Sequence, residues 1–145
     1  MNDPVFPPKL LVSHPVLAVA DVVRAADFYA SRLGFRYDRF WGEPPSFVML
    51  FRGDVQIFLR SPASGPVEPA PKAYDECTGW DVYIRVSDAD ALHEEFVARG
   101  VVIARPPETA FYRMREFEVQ DLDGHVLCFA HDVTAPPDSA TDCPE

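Results

Sequence analysis

Thiols and imidazoles are the side chains here best suited to covalent or metal chemistry, and their spacing limits what they can do. Cys77, Cys128 and Cys143 are odd in number, widely separated and form no C-x-x-C pair. Such spacing fits neither a disulfide framework nor a thiolate zinc site, so reduced, unpaired thiols are expected. Cys128 lies in "DLDGHVLCFAH", where a tight turn feeds an apolar strand. With His14 it would make a nucleophile and base only if the two came within hydrogen-bond reach, which nothing in the sequence requires. His93, beside Glu94 and Glu95, reads as part of a solvated helix face, and His125 of "DGH" reads as a turn residue without chemistry. No Gly-rich phosphate loop, H-E-x-x-H or G-x-S-x-G occurs, so nucleotide hydrolysis, zinc proteolysis and serine hydrolysis lack their minimum parts.

Charge narrows the partners. Thirteen Lys and Arg against 23 Asp and Glu give a formal charge of −10. A nucleic-acid partner is thereby disfavoured, because phosphate recognition needs a basic face, whereas a cationic small molecule gains a weak attraction. No apolar run approaches the roughly 20 residues of a membrane-spanning helix. "MNDPVFPPKL" resembles neither a secretory signal nor a transit peptide, so a soluble, cytoplasmic protein without a membrane partner is expected.

At 145 residues the chain suffices for one packed domain or two half-size modules sharing a core. Residues 1–8 and 134–145 are rich in Pro and small polar residues and read as loose tails around a folded core at 9–133. "HPVLAVA" is strand-like. "DVVRAADFYASRLGF" then carries Val22, Val23, Ala26, Tyr29 and Leu33 at helical spacing, with Asp21 placed to cap its start and Gly34 to end it. "FRYDRFW", "SFVMLFR" and "DVQIFLR" read as strands, the last two joined as a hairpin across Arg52 and Gly53.

The same order then returns. After a Pro- and Gly-rich stretch at 61–78 comes the strand "WDVYIRV", then the helix "DADALHEEFVARG", capped by Ser87 or Asp88 and stopped by Gly100. The strands "VVIARP", "FYRMREFEVQ" and "HVLCFAH" complete the set. Gly34 and Gly100 hold equivalent places, so the chain is an internal repeat: a first module at 9–60, a connector or lid at 61–78 and a second module at 79–133. The predicted fold is α+β: two paired βαβββ modules whose curved mixed sheets surround a cavity.

Strand alternation assigns the faces. Leu17, Val19, Val55, Ile57, Leu59, Trp80, Val82, Ile84, Val86, Leu127 and Phe129 should pack on the helices. His14, Val16, Ala18, Gln56, Phe58, Arg60, Asp81, Tyr83, Arg85, Val126, Cys128 and Ala130 should face the cavity. The repeat sets His14 opposite Asp81 and Phe58 opposite Cys128, and the polar members imply a wetted pocket.

With these residues in place, "HPVLAVADVVRAADFYASRLGF" and "FEVQDLDGHVLCF" resemble the vicinal oxygen chelate superfamily, which includes glyoxalase I, extradiol dioxygenases and the bleomycin resistance proteins. The likeness in element order covers nearly the whole core. It implies that a metal-binding member would draw ligands from the positions held here by His14, Phe58, Asp81 and Cys128. Phe58 cannot coordinate, and one thiolate on an otherwise hard His/Asp set does not suit that chemistry. No metal or other cofactor is therefore expected; His14 and Asp81 would be the ligands if one were held.

The remaining likeness is to the bleomycin resistance branch, carried also by "ECTGWDVYIRVSDADALHEEFVARG" and "YRMREFEVQDLDGHVLCF". It implies a homodimeric antibiotic-resistance protein, not an enzyme, that sequesters a planar cationic antibiotic or similar small molecule without transforming it. Phe40, Trp41, Phe47, Phe58 and Tyr83 are candidate stacking surfaces, Asp81, Glu116 and Glu118 candidate counter-charges, and Cys128 a lining residue. Trp41 reads as a core or dimer contact ahead of a stacking platform, Phe47 with Met49 also as sheet filling, and Arg113 and Arg115 as surface or ion-paired residues rather than ligand-binding ones. The rival reading is a metal-dependent lyase, isomerase or oxidoreductase of glyoxalase or dioxygenase type. It would use His14, Asp81 and a third donor such as Glu118.

Overall fold

The structure, a computed structural model, describes residues 7–62 and 79–134. Most of the expected N-terminal tail and connector, and all but the first residue of the C-terminal tail, lie outside the described residues. The elements run β1 (Val16–Ala18), α1 (Val22–Leu33), β2 (Arg36–Trp41), β3 (Phe47–Arg52), β4 (Val55–Arg60), β5 (Val82–Arg85), α2 (Ala89–Ala98), β6 (Ile103–Thr109), β7 (Met114–Gln120) and β8 (Val126–Asp132). They form two four-stranded mixed sheets, ordered β1-β4-β3-β2 and β5-β8-β7-β6, each carrying one helix. This is the predicted α+β pair of βαβββ modules, with sheets that are not closed.

The repeat holds to the level of register. In the first module β1 runs parallel to β4 with Val16 beside Phe58 and Leu17 beside Leu59; in the second, β5 runs parallel to β8 with Tyr83 beside Cys128 and Ile84 beside Phe129. Local chemistry starts and stops the helices. Asp21 accepts from the Val23 and Arg24 amides at 3.0 and 3.1 Å, and Asp88, rather than Ser87, accepts from Ala91 at 3.0 Å. Gly34 ends α1 in the left-handed region at φ 75°, where a Cβ would lie 2.6 Å from Arg52 Nη1.

One sheet face is apolar and covered. Val48, Leu50, Ile57 and Leu59 pack under α1 with Val22, Ala25, Ala26, Tyr29 and Leu33, while Ile84, Phe117, Val119, Leu127 and Phe129 pack with Phe96 of α2. The modules meet through their helices and turns. The Tyr29 hydroxyl donates to Asp121 Oδ2 at 2.7 Å, the Ala20 amide to Asp123 Oδ1 at 2.9 Å, and His125 Nε2 to the Ala18 carbonyl at 2.7 Å. Arg32 reaches the Arg99 and Gly100 carbonyls at 3.0 Å, and Arg52 grips both oxygens of Glu95 at 2.8 and 2.9 Å. Among the described residues no helix is long and apolar enough to cross a membrane.

Several expectations change. Ala25, not Val23, is on the buried stripe of α1, and Val23 is exposed, because the helix meets its sheet through a narrower face than spacing alone implied. The β3–β4 turn is Gly53–Asp54 rather than Arg52–Gly53: Arg52 still pairs with Val55, and Gly53 takes φ 57°. His93 sets its ring edge-on to Phe117 at 5.4 Å instead of facing solvent. Trp80 precedes β5, so strand alternation does not govern it. Its indole turns from the helix to the other face of the sheet, where Nε1 donates to Glu118.

Candidate functional site

The sheet faces turned away from the helices carry the side chains with chemistry left to offer. On the second sheet, register sets Tyr83, Cys128, Glu118 and Arg105 in one row across β5, β8, β7 and β6, with Glu116 two residues along β7 from Glu118. Glu116 is 1% exposed and Glu118 9%. Carboxylates this deep require partners. Glu116 accepts from the Tyr83 and Tyr112 hydroxyls, each at 2.7 Å, and from Arg105 Nη2 at 3.1 Å. Glu118 accepts from Trp80 Nε1 at 2.9 Å and Arg105 Nε at 3.0 Å. Arg105 Nη1 also reaches Glu108 at 3.0 Å.

This setting fixes proton positions. Burial, reinforced by Glu116, raises the Tyr83 and Tyr112 hydroxyls well above their ordinary range, so both stay donors. Burial, and then the charges of Glu116 and Glu118, push the Cys128 thiol up as well. Its side chain is a protonated, fully covered filler rather than a nucleophile.

The first sheet's open face is aromatic. Phe58 lies beside Val16 and Met49 in register, with the His14 ring 4.8 Å away and Phe47 at 5.5 Å. Trp41 pairs with Phe47, and the Arg39 guanidinium sits 3.7 Å from the centre of its indole. Asp38, Arg39, Trp41, Met49 and Phe51 line a pocket of about 380 Å³ there.

The structure thus brings Trp41, Phe47 and Phe58 together on one open face, and Tyr83, Glu116, Glu118 and Cys128 on the other. Phe40 is not with them. A register shift between Tyr37 and Phe40 sets it beside Val48, and it packs against the helix-side core. Asp81 stands at the edge of β5, its Oδ2 accepting from the Val126 amide at 2.8 Å. Sequence reasoning missed Arg39, Arg105, Tyr112 and the true facing of Trp80. The available signal for Arg105 was a lone base on the strand preceding a glutamate pair, and the Pro106–Pro107 step hid its alternation.

The donor set does not suit a metal ion. The Phe58 position has no ligating atom, His14 packs its ring on Phe58, Glu118 is committed to Arg105 and Trp80, and Cys128 is fully covered. Among the described residues no three His, Cys, Asp or Glu side chains gather as ligands would.

The model of the glyoxalase/bleomycin resistance protein/dioxygenase superfamily matches residues 11–129. The chain belongs to that superfamily. Solved members agree in fold. A glyoxalase/bleomycin resistance protein/dioxygenase from Nocardioides superposes with a TM-score of 0.66 at 16% identity, over 91% of this chain and 89% of its own. TioX from Micromonospora sp. ML1 gives 0.62 at 26% identity, over 83% and 98%. The bleomycin-binding protein of bleomycin-producing Streptomyces verticillus, solved with copper(II)-bleomycin, gives 0.63 at 28% identity, over 85% and 97%. No curated protein sequence matches. Superfamily membership agrees with the paired βαβββ modules.

Proposed function

We propose that this protein is a metal-free binder of the bleomycin-resistance type, a homodimer that sequesters a planar cationic antibiotic or a similar small molecule. The observation that carries the reading is the division of the open faces: a stacking wall of Trp41, Phe47 and Phe58 on one sheet, and buried carboxylates flanked by Tyr83 and Trp80 on the other. Aromatic planes and carboxylates together suit a flat cation, because stacking, cation–π attraction and charge pairing act on the same group. The bleomycin-bound relative supports this ligand class.

Dimerisation rests on apolar surface that is exposed among the described residues. Leu10, Leu11 and Val12 are 101%, 87% and 72% exposed, and the segment leads directly into β1, whose Val16 is half exposed. A second copy would cover this arm and could face one sheet's aromatic wall with the other's carboxylates. The cytoplasm is the proposed compartment, a reducing setting in keeping with the free thiol of Cys128.

Calorimetric titration with bleomycin and a panel of planar cations, alongside elemental analysis of the same sample, tests the reading. Saturable binding by metal-free protein is expected. Stoichiometric retained metal without any cation binding would overturn it.

A further inference from the structure

On both open faces, the group best placed to receive a flat cation already holds one from the chain itself. Arg39 lays its guanidinium 3.7 Å from the centre of the Trp41 indole. Arg105, its side chain 24% exposed, spans Glu116, Glu118 and Glu108 with N–O distances of 3.1, 2.8 and 3.0 Å. The two positions use different recognition chemistry, an aromatic plane and a set of carboxylates, yet their occupant is the same planar, delocalised cation. Both arginines sit at irregular steps of their strands. Arg39 falls in the register shift of β2, and Arg105 is followed by Pro106 and Pro107, which lack the amides that would continue the edge ladder of β6.

We infer that Arg39 and Arg105 are resident stand-ins for the ligand, and that this protein selects amidinium- or guanidinium-like cations, which bind by displacing them. The inference rests on the open faces being the ligand site. It makes the two arginines specificity-determining: each lowers affinity for a competing cation and excludes neutral molecules of the same shape, which cannot replace the lost charge contacts.

Benzamidine, a flat amidinium, and benzamide, its neutral isostere, serve as probes for the unaltered protein, Arg39→Ala, Arg105→Gln and the double variant, by calorimetry with tryptophan fluorescence. Each single variant should bind benzamidine about tenfold more tightly than the unaltered protein, and the double variant more tightly still, with no gain for benzamide. An unchanged benzamidine affinity in a variant removes that arginine from the proposal, and an equal gain for benzamide overturns it by showing that only space was opened. Should Arg105→Gln fail to fold, restoration by benzamidine but not benzamide supports the stand-in role, and failure to restore assigns Arg105 to structure alone. These outcomes are variant-to-parent ratios. If the parent protein binds no planar cation the proposed function fails; benzamidine binding by a variant alone would then still support the stand-in role, and benzamidine binding by neither parent nor variants would overturn it.

Discussion

Cys128 shows how one residue's chemistry is set by its row. Between Tyr83 on β5 and Glu118 on β7 it is fully covered, and burial with two glutamates keeps its thiol protonated. Iodoacetamide at about pH 8 should leave Cys128 unmodified in the folded protein and label it after denaturation, read by peptide mass spectrometry. Native labelling would mean the row opens. The charge of Glu95 is held the opposite way: hydrogen bonds from Arg52 lower its carboxyl below the usual range. A depressed folded value means that this contribution to stability is present above the unfolded carboxylate pKa and is lost as pH falls through the folded one. Urea midpoints for the parent and Glu95→Gln should therefore differ at about pH 7 and converge towards about pH 3. A gap that widens in acid would contradict the assignment.

At the scale of elements, the β7–β8 turn works as a clasp. Asp121 Oδ1 accepts from the Asp123 and His125 amides while Oδ2 holds Tyr29 of α1, and Asp123 reaches Ala20. Tyr29→Phe keeps the ring packing but removes a donor from a buried carboxyl, and should cost about 1.5–3 kcal/mol in urea unfolding, with little change in slope. The end of α1 makes a similar demand. Gly34→Ala forces a left-handed Cβ towards the Arg52 guanidinium, which also donates to the Leu33 carbonyl. A loss of roughly 1–2 kcal/mol is expected from the backbone alone, measured in the same assay. Helix ends, strand alternation and the two-fold element order were legible in the sequence because each depends on neighbours a few residues apart. Trp80 and Phe40 were not, since one lies before its strand and the other follows a register shift, where alternation has no authority. His125 read as a turn residue, and its bond to the Ala18 carbonyl depends on a segment 107 residues away.

For the whole molecule, the proposed dimer would cover the exposed arm of Leu10, Leu11 and Val12. Sedimentation should show a dimer, and replacing Leu10, Leu11 and Val12 with Ser should shift it towards monomer and make thermal stability less dependent on protein concentration. A parent protein that sediments as a monomer at high concentration would remove the dimer from the proposal. Sequence alone determined the paired βαβββ modules, the Asp21 cap and the Gly34 stop, because residue identity and local periodicity specify those things without reference to distant contacts, whereas the family resemblance pointed to His14, Phe58, Asp81 and Cys128 as the donor-poor set. Only the tertiary structure decided that Glu116 and Glu118 are buried against Arg105, that Trp41 carries Arg39, and that the modules join through Tyr29 and Asp121. Those pairings arise where strand register and module packing bring separate segments to within hydrogen-bond distance, a condition that no local pattern encodes.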